Sequence, residues 1–111
     1  FLSDLPEALG LGVILVVGTT LGCLNHARLT VEAIHASGRS RLLGWVANDI
    51  DPAFERRAAN LATLERLLGS PPLADTPWAP AARSAFGNAV LDVSGAVRLR
   101  QALLASVQRK I

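Results

Sequence analysis

Short apolar runs alternate with amphipathic stretches along this chain, and the punctuation between them is mostly glycine. The first stretch, Leu5-Pro6-Glu7-Ala8-Leu9, follows Ser3-Asp4 and stops at Gly10. A capping hydroxyl or carboxylate, a proline in the first turn and a terminal glycine predict a short helix. Val13-Ile14-Leu15-Val16-Val17, set between Gly12 and Gly18, is an unbroken run rich in β-branched residues, as expected of a parallel-sheet strand buried on both faces. From about Cys23 to Ser37 the apolar residues Leu24, Ala27, Val31 and Ile34 recur at helical spacing, and Gly38 ends the pattern. Arg41 to Ala47 predicts a second strand with Trp45 in the core. Pro52 opens a predicted long helix through about Leu68, with Phe54, Ala58, Leu61, Leu64 and Leu68 on one stripe before Gly69. A short extended piece at Pro72-Leu73-Ala74 leads to Thr76-Pro77-Trp78. Ala79 to Asn88 is alanine-rich without a clear period, and Val93 to Val107 predicts a last helix with Val97, Leu99, Leu103 and Leu104 as candidate buried positions.

Strand, helix, strand, helix in this order is the signature of βαβ units on a parallel sheet, so the expected fold class is α/β, a parallel sheet flanked by helices. The 111 residues suffice for one domain, 1–111, with one core. Three strands at most are visible, a thin sheet for this architecture. Further strands are therefore expected upstream of Phe1, in keeping with the absence of any methionine. A sheet so truncated would carry an exposed edge and only marginal stability.

Composition narrows the function. Half of the residues are hydrophobic and only 18% charged, the opposite of a disordered chain. A formal charge of +2 is too small to imply a polyanionic partner. Arg56, Arg57 and Arg66 are interleaved with Glu55 and Glu65 and read as a solvated helix face, and no basic run carries stacking aromatics, which argues against nucleic acid. A single cysteine, Cys23, allows no internal disulfide and points to the cytoplasm. The longest apolar stretch, Leu11 to Val17, falls short of the roughly 20 residues that span a bilayer. No basic segment precedes an apolar one at the start, so no signal peptide is expected.

Ligands of open parallel sheets bind beyond the carboxyl ends of the strands, and two predicted loops lie there. The first, Gly18-Thr19-Thr20-Leu21-Gly22-Cys23-Leu24-Asn25-His26, enters a helix whose first amides would suit a carboxylate or phosphate, with Asn25 as an added donor. An ordinary turn with Asn25 and His26 solvated accounts for the same residues. The second, Asn48-Asp49-Ile50-Asp51-Pro52, offers at Asn48 the donor and acceptor pair that matches adenine. Plain turn and cap chemistry remains open there too. Metal binding is not expected: His26 and His35 stand nine positions apart, and Cys23 with His26 makes only two ligands. Cys23 lacks a recognisable His-plus-acid set for a nucleophile. There is no Gly-x-x-x-x-Gly-Lys-[Ser/Thr] loop and no lysine before Lys110, so the chain has no means of its own to cradle a triphosphate.

At these loops the sequence resembles the dethiobiotin synthetase family. The resemblance rests on Val13-Ile14-Leu15-Val16-Val17-Gly18, Leu21-Gly22-Cys23-Leu24-Asn25-His26-Ala27, Leu29-Thr30, Gly44-Trp45-Val46-Ala47-Asn48 and Pro77-Trp78, in that order and spacing. It runs from about Leu5 to Trp78, some two-thirds of the chain, and weakens over the tail 79–111. It implies a partial P-loop NTPase-like (Rossmann-like) fold, the C-terminal half of a homodimeric ligase of biotin synthesis. The family converts 7,8-diaminononanoate, CO2 and ATP with Mg2+ to dethiobiotin, through a carbamate that is phosphorylated and then closed by the second amine. The P-loop, the catalytic lysine and the metal ligands would lie in the absent half, leaving no catalytic or metal residue here and no activity alone. By the same resemblance, Asn48, Asp49, Pro77, Trp78 and Ala79 lie on the ATP adenine side. Gly22, Cys23 and Asn25 face the substrate carboxylate across the dimer interface.

Three departures bear on the sites. Pro80-Ala81-Ala82-Arg83-Ser84 lacks the acid that often holds the ribose, Asn60 stands near a tyrosine of some members, and Thr19-Thr20 is an unusual polar pair. Two alternatives remain: a related P-loop amide-forming ligase such as those of cobyrinate amidation, or a non-catalytic dimerisation or binding fragment.

Overall fold

The structure, a computed structural model, describes residues 4–78 and 93–108. Among them run α1 (Asp4–Leu9), β1 (Gly12–Thr19), α2 (Cys23–Ser37), β2 (Arg41–Asp49), α3 (Arg57–Leu68), β3 (Ala74–Thr76) and α4 (Val93–Gln108). The fold is α/β, as expected. The strands form one sheet in the order β1-β2-β3 with both pairings parallel, as expected where helices connect successive strands.

The core sits on the sheet face that α2 and α3 cover. Val17, Trp45 and Ala47 from the strands meet Cys23 and Ala27 of α2 and Leu64 of α3, with Leu15, Leu24, Leu61 and Leu68 packed against them. Trp45 is fully buried, as its sequence context predicts, and its indole N–H donates to the Ser70 carbonyl at 2.9 Å. Strand β1 departs from expectation. Residues alternate across a strand, and Ile14 and Val16, on the face away from the core, are 41% and 59% exposed. A β-branched run signals burial on both faces only where a second layer covers the sheet, and at Ile14 and Val16 the second face is left partly open.

Helix α3 begins at Arg57, five residues later than the sequence predicts. The Asp51 carboxylate accepts the Ala53 N–H at 3.0 Å, and the Phe54 N–H turns back to the Asp51 carbonyl at 3.2 Å. These local bonds compete with helix geometry and spend residues 51–56 on turns. Strand β2 also runs two residues further than predicted, taking in Asn48 and Asp49. In the last helix the expected buried positions Val97, Leu103 and Leu104 are about half exposed, at 48%, 46% and 53%. Helix α4 meets β2, with Ala102 and Ala105 lying beside Arg41, Leu42 and Leu43. The Leu99 side chain and the alanine-rich segment lie outside what the structure describes.

The sheet and the chain beyond it approach most closely at Gly44. A Cβ built there would stand 2.6 Å from Leu73 Cδ1 and 2.9 Å from its Cγ, and Leu73 is buried. Gly44→Ala is therefore expected to cost about 1–3 kcal/mol through overpacking. At Gly18 the obstacle is the far end of half-exposed Ile50, which can swing into solvent. Gly18→Ala should lower the urea midpoint much less, and equal losses would contradict this packing.

Candidate functional site

The parallel register brings the two predicted loops to one end of the sheet. Gly18 pairs with Asn48, Thr19 with Asp49, and Asn48 in turn with Thr76. Gly22 follows the end of β1 by three residues and Trp78 follows the end of β3 by two. The rim is thus assembled from the carboxyl ends of all three described strands. Asn48 and Asp49 are the last ladder residues of β2 and not the turn that their residue types suggest. Pairing to β1 outweighs their turn preference.

The approach to α2 is set by Gly22, whose φ of 91° lies in the left-handed region. A side chain there would be strained by about 1–2 kcal/mol. No side chain caps this helix. The Cys23 N–H is taken by the Thr20 carbonyl at 3.1 Å, which leaves the next amides of the first turn without helical partners. The Cys23 side chain faces inward: it is buried, with Sγ 3.8 Å from Asn60 Oδ1. Asn60 therefore packs on the start of α2, and its amide nitrogen donates to the Arg56 carbonyl at 2.9 Å. Asn25 is exposed. A cleft of about 260 Å3 opens between the end of β1 and α2, where Gly18, Thr20, Cys23, His26 and Ile50 contribute to its wall. Gly22 and Asn25 flank it without lining it.

Asp49 anchors a network that the sequence does not announce. Its Oδ1 accepts the Thr19 hydroxyl at 2.5 Å and the Arg57 Nε–H at 2.6 Å, and the Trp78 backbone N–H also donates to its carboxylate. Arg57 reaches on to Asp75 in β3 with Nη2. Burial alone would raise the Asp49 carboxyl. The hydrogen bonds from Thr19 and Arg57, the Arg57 charge and the Trp78 amide outweigh that and hold it below its ordinary value. The Asp49 bond and the Asp75 charge, against burial, raise the Arg57 guanidinium. Arg57 is thus no part of a solvated face, since its side chain is 32% exposed and spans two carboxylates. The run of arginines alternating with acids hid it, because its partners lie 8 and 18 residues away. Thr19 was legible only as an unusual polar residue at a strand end, and Asp75 gave no signal.

Trp78 is 47% exposed, and Pro77 beside it is exposed. Ala79, read with them, lies outside the described residues. No group of three His, Cys, Asp or Glu that could hold a metal ion occurs among the described residues. No described helix is long and apolar enough to cross a membrane.

Comparison with known proteins bears on this rim. Residues 1–85 match a family model described as an AAA domain. The chain is 49% identical over 83 residues to the ATP-dependent dethiobiotin synthetase BioD of Xanthomonas euvesicatoria pv. vesicatoria, covering 75% of this chain and 37% of that protein. It is 51% identical over 92 residues to the protein of the same name from Pseudomonas paraeruginosa, covering 83% of this chain and 40% of the relative. The matched stretch thus spans about two-fifths of these relatives' length. On the family match over most of its length, the chain belongs to the AAA domain family of P-loop NTPases, and its matched stretch is about half identical to proteins named dethiobiotin synthetase.

Proposed function

We propose that this chain forms the adenine side and the substrate-carboxylate side of an ATP-dependent dethiobiotin synthetase acting on 7,8-diaminononanoate and CO2. One observation carries the reading: the register that sets Gly18 and Thr19 beside Asn48 and Asp49, with Thr76 next to Asn48, at one end of the sheet. ATP, when bound, supplies the phosphoryl group that activates the substrate carbamate for ring closure. Asn48 offers the base an adjacent donor and acceptor, bordered by Pro77, Trp78 and Ala79, with Asp49 next to it at the same strand end. The first-turn amides of α2 at Gly22 and Cys23 favour a carboxylate through their N–H groups and the helix dipole, and Asn25 adds a donor. Phosphate grip, Mg2+ ligation and the catalytic lysine are assigned to sequence outside these residues. The working protein is a cytoplasmic homodimer in this reading, and the chain alone is inactive.

Dethiobiotin formation from diaminononanoate, bicarbonate and ATP tests this directly. The chain alone should give no product, and the chain joined in frame to its upstream coding sequence should give product. Asn25→Ala in that longer protein should raise KM for diaminononanoate roughly tenfold with kcat little changed, the loss of about one hydrogen bond to a charged group. A longer protein that folds and forms no dethiobiotin would sink the assignment.

A further inference from the structure

Asn48 and Asp49 stand together in the sequence, yet consecutive strand residues project to opposite faces. Asn48 shares its face with Gly18 and Thr76, whereas Asp49 shares the helix-covered face with Thr19. There the Asp49 side chain is 12% exposed and already engaged. It binds Thr19 at the end of β1, Arg57 at the start of α3 and the backbone of Trp78 beyond β3. Arg57 carries the tie to Asp75 within β3. One carboxylate therefore joins the ends of β1 and β2, the start of α3 and the turn that presents Trp78. A direct contact with a purine would need this carboxylate turned outward to accept from an exocyclic amine, at the expense of three bonds.

We infer that Asp49 is a positioning residue: it holds the Trp78 backbone and the end of β1, and so fixes where Asn48 and Trp78 meet the nucleotide base without touching the base itself. This rests on the adenine-side reading proposed above. The charged groups facing Asp49 are Arg57 from α3 and, through Arg57, Asp75 from β3. Thr19 contributes a hydroxyl only.

Nuclear magnetic resonance on the 15N-labelled longer protein, the chain joined in frame to its upstream coding sequence, tests the tie and the adenine reading separately, with ATP and GTP as probes. Asp49→Asn is expected to speed hydrogen exchange of the Trp78 amide about tenfold or more, as local opening would, while the Trp45 amide in mid-strand keeps its rate. ATP affinity, read at the Asn48 side-chain amide, should fall roughly tenfold with the ratio of ATP to GTP affinity unchanged. Thr19→Ser should behave as the parent, and Thr19→Val should move toward Asp49→Asn. If Asp49→Asn does not fold, the parent decides: its Trp78 amide shift should follow one acid titration below the ordinary carboxylate range. A Trp78 amide that ignores acid, unchanged Trp78 exchange in folded Asp49→Asn, or a changed ATP-to-GTP ratio overturns the positioning role. A parent silent toward ATP, with the Trp78 exchange effect intact, supports the tie and removes the adenine-side reading instead.

Discussion

Trp45→Ala is expected to leave the chain unfolded at room temperature. The indole is fully buried at the centre of the only sheet among the described residues, in one cluster with Val17, Cys23, Ala27, Ala47 and Leu64. Truncating a buried aromatic to alanine costs about 3–5 kcal/mol, because the cavity left behind collapses only in part. The Ser70 carbonyl would also lose its indole donor, a further loss of about 1 kcal/mol. Small domains hold about 5–15 kcal/mol in total. This one has a partly open strand face at Ile14 and Val16, which puts it at the low end of that range. Far-UV circular dichroism and urea titration would check it. Trp45→Phe, which keeps most of the volume, should fold with a lowered midpoint. A cooperative Trp45→Ala transition near the parent's midpoint would contradict the packing described.

The elements that the sequence made legible are those whose signal is local. Gly10 and Gly38 end α1 and α2 where the pattern says, because a left-handed glycine is a signal carried by one residue. The spacing of Leu24, Ala27, Val31 and Ile34 predicts α2 from about Cys23 to Ser37, where the helix lies. Errors came where distant partners decided the outcome. The start of α3 is set by the Asp51 side chain and by the hold of Asp49 and Asp75 on Arg57, and neither is visible in hydrophobic spacing. Burial of β1 on both faces was inferred from Val13–Val17 alone, yet burial is a property of what lies opposite. In α4 the spacing of Val97, Leu103 and Leu104 suggests a buried stripe, yet these three are about half exposed.

The rim was legible in outline for a different reason. In a parallel sheet any two strand ends share a side, so the order strand-helix-strand alone predicts that the loop after β1 and the end of β2 meet. The pairing of Gly18 with Asn48 realises this. Side-chain detail did not follow from order. Adjacent Asn48 and Asp49 were read as one unit, and alternation along β2 sends them to opposite faces. The partners of Asp49, namely Thr19, Arg57 and Trp78, could not be read from its neighbours in sequence.

The same network makes the stability of the chain depend on acid. Asp49 holds its proton less tightly when folded than when unfolded, so its ionisation favours the folded state. That contribution is complete above the ordinary carboxylate value and is lost as pH falls through the lower folded value, where the unfolded chain binds the extra proton first. Stability measured by urea midpoint should therefore fall on acidification below about pH 4, and Asp49→Asn should flatten part of that fall. Arg57→Ala is the harsher change at neutral pH. It leaves the Asp49 and Asp75 carboxylates without their shared cation and Asp49 mostly buried. The expected cost is about 2 kcal/mol, below the roughly 3–5 of a fully buried pair because a third of the Arg57 side chain meets water. Asp75→Asn, at a side chain 46% exposed, should cost about 0.5 kcal/mol, as an exposed pair does. The order Arg57→Ala, then Asp75→Asn, follows from Asp49 being the buried member. If Asp75→Asn proved the more damaging, the anchor of this rim would lie on β3 and not at the end of β2.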